Sequence, residues 1–176
     1  MKNSSMQGTP LSLKIGVLTI SDSRDESTDT SGRYLAEQIK QAGHELVDKR
    51  IVADNIYRIR ALVSQWIADE QTQVIICNGG TGLTGRDGTP EAIAPLLDKV
   101  IDGFGEMFRA ISLTEIGTSA LQSRALAGVA NGTVIFCLPG STHACQTAWG
   151  NIIEQQLDSR TRPCNLVQLI PRLTEK

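Results

Sequence analysis

A glycine-rich loop that contains an arginine and an aspartate has the residue types and spacing best suited to chemistry in this chain. Five glycines lie between residues 79 and 88, and Arg86 and Asp87 lie between the last two of them. Because glycine lacks a side chain, the backbone N–H groups of such a loop can approach an anion closely. Thr89 can cap a helix that begins at Pro90, directly after the loop. An apolar strand, a glycine loop and a helix start in succession are typical of a phosphate-binding site.

A second carboxylate, Asp54, comes before another predicted helix. Either Asp54 or Asn55 can cap this helix, and a capping residue can also take part in a site. Beside a polyphosphate, Mg²⁺ is commonly held by one or two carboxylates together with phosphate oxygens, and it polarises the phosphorus under attack. We therefore predict that Asp54 and Asp87 are catalytic residues that hold Mg²⁺, with Arg86 supporting the loop or a phosphate group.

Two well-known phosphate-binding patterns overlap in the glycine loop, and the context opposes both. The run Gly80-Thr-Gly-Leu-Thr-Gly85 fits the dinucleotide pattern G-x-G-x-x-G, but it follows the third predicted strand and the helix begins only at Pro90. A P-loop would need Lys and then Ser or Thr where this chain has Arg86 and Asp87. The sequence thus argues against a nicotinamide or flavin site and against a P-loop kinase or GTPase. A glycine turn without a ligand is the remaining alternative.

Apolar strands alternate with helices along the chain. Strands are predicted at residues 14–21, 45–52, 74–77 and 133–138, and helices at 31–42, 56–67, 90–100, 103–112 and 141–157. Residues 113–131 show no clear pattern. Because the strands lack an apolar–polar alternation, we predict an α/β fold with a doubly wound, mostly parallel sheet covered by helices on both faces, in three layers.

In a sheet of this kind, ligands bind beyond the carboxyl ends of the strands. The candidates at that edge are Thr19, Ser21 and Asp22 after the first strand, Asp54 after the second, residues 78–87 after the third, and residues 139–142 after the last. Two carboxylates, several hydroxyl groups and the glycine loop are therefore expected to share one edge of the sheet. This edge is the predicted site.

Composition narrows the range of partners. The chain has 176 residues, 40% of them hydrophobic, and a formal net charge of −2, which fits one α/β domain at residues 13–159 with a flexible lead-in at 1–12. The tail, 160–176, is expected to pack on the body or on a neighbouring subunit.

No basic cluster suggests nucleic acid as a partner, and no apolar run is long enough to span a membrane. The four cysteines form no C-x-x-C pair and no signal peptide precedes them, so we predict a cytoplasmic protein with reduced thiols.

Motifs at the predicted loops resemble the MoaB/MogA family of molybdenum cofactor biosynthesis proteins. They are Thr19-Ile-Ser-Asp22, Gly79-Gly-Thr-Gly82, Arg86-Asp-Gly-Thr-Pro-Glu91, Gly103-Phe-Gly-Glu106, Leu121-Gln-Ser-Arg124 and Leu138-Pro-Gly140. The resemblance extends from about Lys14 to Asn165, nearly the whole chain. It is closest to the MoaB branch through Pro139-Gly-Ser-Thr142, Thr147-Ala-Trp149 and Thr161-Arg-Pro-Cys164.

The resemblance implies a protein that binds molybdopterin and, in active members, adenylylates it. The terminal phosphate of molybdopterin attacks the α-phosphorus of Mg-ATP, which yields adenylyl-molybdopterin and pyrophosphate. The two functional aspartates of the family are matched by Asp54 and Asp87. Together with the strand-end rule, the resemblance gives the predicted substrate-binding residues: Thr19, Ser21, Asp22, Gly79, Gly80, Thr81, Gly82, Arg86, Ser123, Pro139, Gly140 and Ser141.

The resemblance also implies self-association. Members of the family form trimers, and the MoaB branch is similar to a pair of trimers that make a hexamer; other molybdenum cofactor biosynthesis proteins are further expected partners. Active adenylyltransferases usually carry Pro-Gly-Asn-Pro where this chain has Pro139-Gly140-Ser141-Thr142. A non-catalytic molybdopterin-binding paralogue or scaffold in the same pathway is therefore the alternative hypothesis.

Overall fold

A six-stranded sheet forms the middle layer of the computed structural model, which describes residues 8–175. The strands are β1 (Lys14–Ile20), β2 (Glu45–Val52), β3 (Val74–Asn78), β4 (Lys99–Val100), β5 (Leu126–Ala130) and β6 (Thr133–Leu138). Across the sheet their order is β2-β1-β3-β6-β5-β4. Strands β2, β1, β3 and β6 are parallel to one another, and β5 runs antiparallel to both of its neighbours. The predicted mostly parallel α/β fold is confirmed.

Helices cover both faces of the sheet. They are α1 (Thr30–Gln41), α2 (Ile56–Ala68), α3 (Thr89–Ile93), α4 (Asp102–Ile116), α5 (Thr142–Ala148) and α6 (Glu154–Leu157). Short 3₁₀ turns follow α3 at Ala94–Leu96 and α4 at Gly117–Gln122, and a third lies at Ile170–Arg172. A π-helical turn, Trp149–Ile153, joins α5 to α6. Among the described residues, no helix is long and apolar enough to cross a membrane.

Two apolar clusters fill the space between the sheet and its helices. One contains Val17 of β1 with side chains of α1, α4 and α5, and in it the Phe104 ring meets the Phe136 ring edge-on at 5.1 Å between centroids. The other contains Leu18 of β1 with side chains of α2 and α3, including Trp66. Because neighbouring residues of one strand enter opposite clusters, the central strands must be apolar on both faces.

The predicted helix over residues 90–100 is wrong in its second half. Helix α3 ends at Ile93, and residues 99–100 instead form β4, which pairs with β5. Pro95 explains the early end, since proline has no backbone N–H with which to continue the α-helical hydrogen bonds, and the chain turns into the 3₁₀ turn Ala94–Leu96. Helix α4 also extends to Ile116, four residues beyond the predicted end at Ser112.

Strand β5 lies in the segment that the sequence left unassigned. Its residues, Leu-Ala-Gly-Val-Ala, are mostly small and carry a weak strand signal. The missed signal is the turn that joins β5 to β6. Asn131 and Gly132 have φ values of +46° and +84°, and an Asn-Gly pair between two strands is a strong indicator of a tight hairpin.

The chain after α6 packs on the same molecule. Val167 is buried, and Leu166, Ile170 and Leu173 contact the cluster formed with α1, α4 and α5. As far as residue 175, the segment contains a 3₁₀ turn and no strand. Most of the predicted flexible lead-in, residues 1–7, lies outside the described residues.

The buried His44 makes stability dependent on pH. Its Nδ1 atom accepts a hydrogen bond from the Leu13 N–H at 3.2 Å. Burial lowers the pKa of His44 below its usual 6.5, against a smaller opposite effect of Asp158. The unfolded chain therefore binds the proton more tightly, so the stability from this group is complete above about pH 6.5 and is lost as the pH falls towards the folded-state pKa.

We expect the melting temperature of the protein to fall between about pH 7.5 and about pH 5.5, and to fall less in His44→Gln. Thermal unfolding of both proteins at the two pH values measures this difference. Equal falls in the two proteins would contradict the assignment.

Candidate functional site

The glycine loop begins where three strand ends converge. Gly79 has a φ of +103° and Gly80 a φ of +62°, a region that side chains disfavour. A Cβ on Gly79 would lie 2.1 Å from the backbone oxygen of Ile20 at the end of β1. The Gly79 N–H donates to the Leu138 carbonyl at the end of β6 at 3.0 Å. Only glycine fits at position 79, between the two neighbouring strands.

The start of α3 closes the loop. The Thr89 hydroxyl donates to the Gly79 carbonyl at 2.8 Å, and the Thr89 N–H donates to the Gly80 carbonyl at 2.9 Å. Thr89 was predicted to cap α3, but it is the first residue of the helix and Gly88 occupies the cap position without a side-chain bond. The threonine therefore fixes the loop and not the helix end.

Arg124 holds the far side of the loop. Its Nε donates to the Gly82 carbonyl at 2.9 Å and to the Thr81 carbonyl at 3.2 Å, and its Nη2 donates to the Asp87 carbonyl at 3.3 Å. Its Nη1 pairs with Glu91. The guanidinium thus bonds carbonyl groups of the loop and one carboxylate. Although Arg124 lies far from the loop in the sequence, these bonds hold the loop in one shape.

A cleft of 580 Å³ opens beside the loop, between the carboxyl ends of the strands and α4. Ten of the predicted site residues line it: Ser21, Gly79, Gly80, Thr81, Gly82, Asp87, Ser123, Pro139, Gly140 and Ser141. The Ser123 hydroxyl is buried and has no hydrogen-bond partner within the described part of the chain. It is therefore suited to bond a ligand in the cleft.

Thr19 does not line the cleft. Its hydroxyl donates to Asp29 Oδ2 at 3.0 Å and accepts from Asn78 Nδ2, also at 3.0 Å, in the interior of the protein. Asp29 in turn caps α1 by accepting from the Gly32 N–H at 2.9 Å and lies 3.0 Å from Lys49 Nζ. Thr19 lies at the strand end where it is predicted, but its hydroxyl points into a buried network beneath the cleft.

Asp22 and Arg86 bind each other outside the cleft. Arg86 Nε donates to Asp22 Oδ2 and Arg86 Nη2 to Asp22 Oδ1, both at 2.8 Å. The hydrogen bonds from Arg86 lower the pKa of Asp22. Asp22 Oδ1 also accepts from the Asp54 N–H at 3.1 Å. This pair ties the glycine loop to the segments that follow β1 and β2, and it neutralises the charge of Arg86.

The two predicted catalytic aspartates lie against the glycine loop. A Cβ on Gly80 would lie 2.8 Å from Asp54 Oδ1, and a Cβ on Gly82 would lie 2.6 Å from Asp87 Oδ2. Asp54 lines a smaller pocket of 270 Å³, on the side of the loop towards α2, and Asp87 lines both this pocket and the cleft. The absence of side chains at the two glycines makes room for both carboxylates.

The two carboxyl groups differ electrostatically. Burial raises the pKa of Asp54, and the nearby carboxylates of Asp22 and Asp87 raise it further. The Thr84 hydroxyl lowers the pKa of Asp87, to which the Thr84 N–H also donates at 2.9 Å. Asp54 is free of a capping role, because Asn55 caps α2 instead. Within residues 8–175, no arginine or lysine side chain forms a hydrogen bond or ion pair with the Asp54 carboxylate.

Asp54 and Asp87 supply enough ligands for Mg²⁺ only when a substrate adds its phosphate oxygens. Across residues 8–175, no group of three or more His, Cys, Asp or Glu side chains is arranged to hold a metal. Mg²⁺ in phosphate-transfer sites commonly takes one or two carboxylates and completes its shell with phosphate oxygens and waters. Asp54 and Asp87 could hold the ion in that way.

The sequence prediction missed one cation and one wall of the cleft. Arg24 is the one basic side chain among the described residues that line the cleft, and it donates to the Ser31 hydroxyl. It lies in the polar loop after β1, so the same strand-end rule could have found it. The missed wall comes from α4 and the 3₁₀ turn after it: Phe108, Ser112, Ile116, Ser119 and Gln122. Part of this wall fell in the unassigned segment.

Comparisons with known proteins agree on one family. The family model described as "Probable molybdopterin binding domain" matches residues 16–159. The chain is 60% identical to molybdenum cofactor biosynthesis protein B of Escherichia coli K12 over 152 residues, which is 86% of this chain and 89% of that one. It is 41% identical to the Bacillus subtilis protein of the same name, with the same coverage of both chains.

Solved structures give the same result. A crystal structure of a molybdenum cofactor biosynthesis protein B superposes with a TM-score of 0.82 at 44% identity, covering 85% of this chain and 94% of the other. The tungsten cofactor synthesizing protein MoaB from Pyrococcus furiosus superposes with a TM-score of 0.73 at 36% identity, covering 84% and 94%.

The glycine loop should tolerate alanine at one position and not at another. Gly79→Ala would place a methyl group against the Ile20 carbonyl at an unfavourable φ, and we expect it to lower the free energy of unfolding by at least about 2 kcal/mol. A Cβ on Gly85 would meet nothing within 4 Å beyond its chain neighbours, so Gly85→Ala should change this free energy by less than about 0.5 kcal/mol. Urea unfolding of the two variants tests the difference, and equal effects would contradict the convergence of strands at Gly79.

Proposed function

Because this chain belongs to the MoaB family of molybdenum cofactor biosynthesis proteins, we propose that it binds molybdopterin and adenylylates it with Mg-ATP. In this reaction an oxygen of the terminal phosphate of molybdopterin forms a bond to the α-phosphorus of ATP. The bond from that phosphorus to the oxygen bridging to the β-phosphate breaks, and pyrophosphate leaves. The products are adenylyl-molybdopterin and pyrophosphate.

The position of Asp87 is the observation that carries this proposal. Asp87 lines both the 580 Å³ cleft and the 270 Å³ pocket, and Asp54 lines the pocket beside it. A transfer between two phosphate-bearing substrates requires their phosphates to meet. Two adjoining depressions that share the Asp87 carboxylate, with Asp54 close by, offer such a place. The larger depression lies within the range of about 300–1,000 Å³ that is usual for small-molecule sites, which favours it for the pterin.

Catalysis of this kind depends on positioning and on neutralising phosphate charge. Asp54 and Asp87 would hold Mg²⁺, which when bound neutralises the phosphates and polarises the α-phosphorus. The rigid loop fixed by Thr89 and Arg124 keeps the two carboxylates in place. Arg24 lines the cleft, where its Nη1 donates to Ser31 and lies 3.9 Å from Asp29 Oδ1, and its other N–H groups would meet an anionic group there. Arg86 is engaged by Asp22.

The departure at residues 141–142 is compatible with activity. The Ser141 hydroxyl caps α5 by accepting from the Ala144 N–H at 3.1 Å, and Thr142 is the first residue of the helix. Asn and Ser are both good capping residues, and Pro is favoured at the first helical position. Asn-Pro and Ser-Thr are therefore two sequences that start the same helix after the Pro139-Gly140 turn.

Self-association as a trimer or hexamer stays a prediction of the family resemblance, as do a cytoplasmic location and contacts with other proteins of the pathway. An apolar surface on α4 and the following 3₁₀ turn supports self-association. Its exposed residues are Met107, Leu113, Ile116 and Leu121.

Asp87→Asn should reduce pyrophosphate release from molybdopterin and Mg-ATP by about a hundredfold or more, because the neutral amide is a poor magnesium ligand. Glu70→Gln, an exposed change on the loop before β3, is the matched control and should leave the rate unchanged. Circular dichroism and the unfolding midpoint check that both variants fold. An unchanged rate in Asp87→Asn would refute its role. Pterin binding by the wild type without pyrophosphate release would favour the non-catalytic alternative.

Arg24→Gln should weaken molybdopterin binding by about tenfold or more, because charge-assisted hydrogen bonds to phosphate contribute about 1.5–3 kcal/mol. Arg33→Gln, on the exposed side of α1, is the control. Anaerobic equilibrium titration with molybdopterin measures both dissociation constants. Equal constants for wild type and Arg24→Gln would show that the phosphate lies elsewhere.

A further inference from the structure

We infer that the 270 Å³ pocket beside Asp54 is the site of the adenosine part of the nucleotide, with the exposed ring of Tyr57 as the stacking surface for its base. The inference rests on the proposed function for the identity of the nucleotide. The sequence prediction did not include Tyr57, because nothing in the helical pattern distinguishes it from other residues of α2.

Tyr57 is an unusually exposed aromatic residue in a fixed position. It lies in the first turn of α2 and is 76% exposed, so it contributes little to the core. The guanidinium of Arg60 lies over its ring, 5.8 Å from the centroid. Arg60 is itself held by α3, since Nη2 donates to the Glu91 carbonyl at 2.8 Å and Nε to the Ala92 carbonyl at 3.3 Å. Arg60 thus restrains the Tyr57 ring from one side, while most of the tyrosine surface is open to solvent.

A flat ring held in this way is suited to a flat ligand. Nucleobases stack on exposed aromatic rings because every base presents a π-face. A guanidinium on the opposite side of the ring strengthens the platform by a cation–π interaction and limits its motion. A pterin is also flat, but the larger cleft of 580 Å³ offers it a site of the usual size for a small molecule.

Asn55 gives the pocket a hydrogen-bond donor. Its Oδ1 atom accepts from the N–H groups of Tyr57 and Arg58, each at 3.1 Å. Its amide nitrogen has no partner among the residues that the structure describes. This N–H group is available to a ring nitrogen of a base stacked on Tyr57.

The charge and the size of the 270 Å³ pocket suit the nucleoside part of the nucleotide better than its phosphates. The acidic residues Asp54, Asp87 and Glu91 line the pocket, and Arg86, its one basic lining residue within the described part of the chain, is paired with Asp22. Carboxylates repel phosphate but accept hydrogen bonds from ribose hydroxyls. A volume of 270 Å³ lies just below the usual range for a whole ligand. The phosphates would then extend to Asp87, where the pocket meets the cleft.

Titration with Mg-ADP tests the subsite without requiring turnover. Tyr57→Ala should weaken Mg-ADP binding by about tenfold or more, whereas Tyr57→Phe should retain it because the ring is kept. Arg58→Ala, the next residue on α2 and outside the pocket, is the control and should bind like the wild type. Magnesium tripolyphosphate, which lacks the base, should bind equally to Tyr57→Ala and the wild type.

The results separate this inference from the proposed function. In steady-state assays, Tyr57→Ala should raise the KM for ATP and leave the dissociation constant of molybdopterin unchanged. Product formation with no effect of Tyr57→Ala on Mg-ADP would overturn the subsite and leave the proposed function standing. Binding of Mg-ADP through Tyr57 without product formation would support the subsite and overturn the proposed function. A wild type that does not bind Mg-ADP would overturn the subsite, and product formation from Mg-ATP would then decide the proposed function by itself.

Discussion

The close approach of backbone at Gly79 is the constraint on which the site depends. Position 79 leaves no room for a Cβ beside the Ile20 carbonyl, and a Cβ on Gly140 would lie 3.0 Å from the Gly79 Cα. Two glycines therefore allow the ends of β1, β3 and β6 to meet at one point. The loop that leaves this point has its next glycines, Gly80 and Gly82, against the two aspartates. Backbone geometry thus determines where the carboxylates lie before any ligand is bound.

Two arginines of the site are already paired with groups of the protein itself. Arg86 is engaged by Asp22, and Arg124 by the carbonyl groups of the loop and by Glu91. Both arginines shape the site without offering a free cation. Asp87 lies at the boundary between the two depressions, Asp54 lines the smaller one, and Arg24 lines the larger one. Carboxylates beside the glycine loop, with an arginine in the cleft, fit a reaction between phosphates that a divalent metal assists.

Patterns within short stretches of the sequence were sufficient to predict the central strands and the position of the glycine loop. The central strands are apolar on both faces, the glycine loop follows β3, and the rule for strand ends located the edge at which most predicted residues meet. Features that depend on distant partners could not be predicted. The bonds from Arg124 to Thr81 and Gly82 join residues far apart in the chain. The buried position of the Thr19 hydroxyl likewise depends on its bond from Asn78 in another strand. Strand β5 was missed because its small residues resemble a loop, although its Asn131-Gly132 turn was visible.

Mass spectrometry of the pterin after a single anaerobic turnover tests most directly whether this site joins the two substrates. Wild-type protein would be mixed with stoichiometric molybdopterin and excess Mg-ATP and then quenched. The proposed function predicts that the bound pterin gains the mass of one adenylyl group, with one pyrophosphate released per pterin converted. Recovery of unmodified molybdopterin from protein that had bound it, with ATP intact, would contradict it.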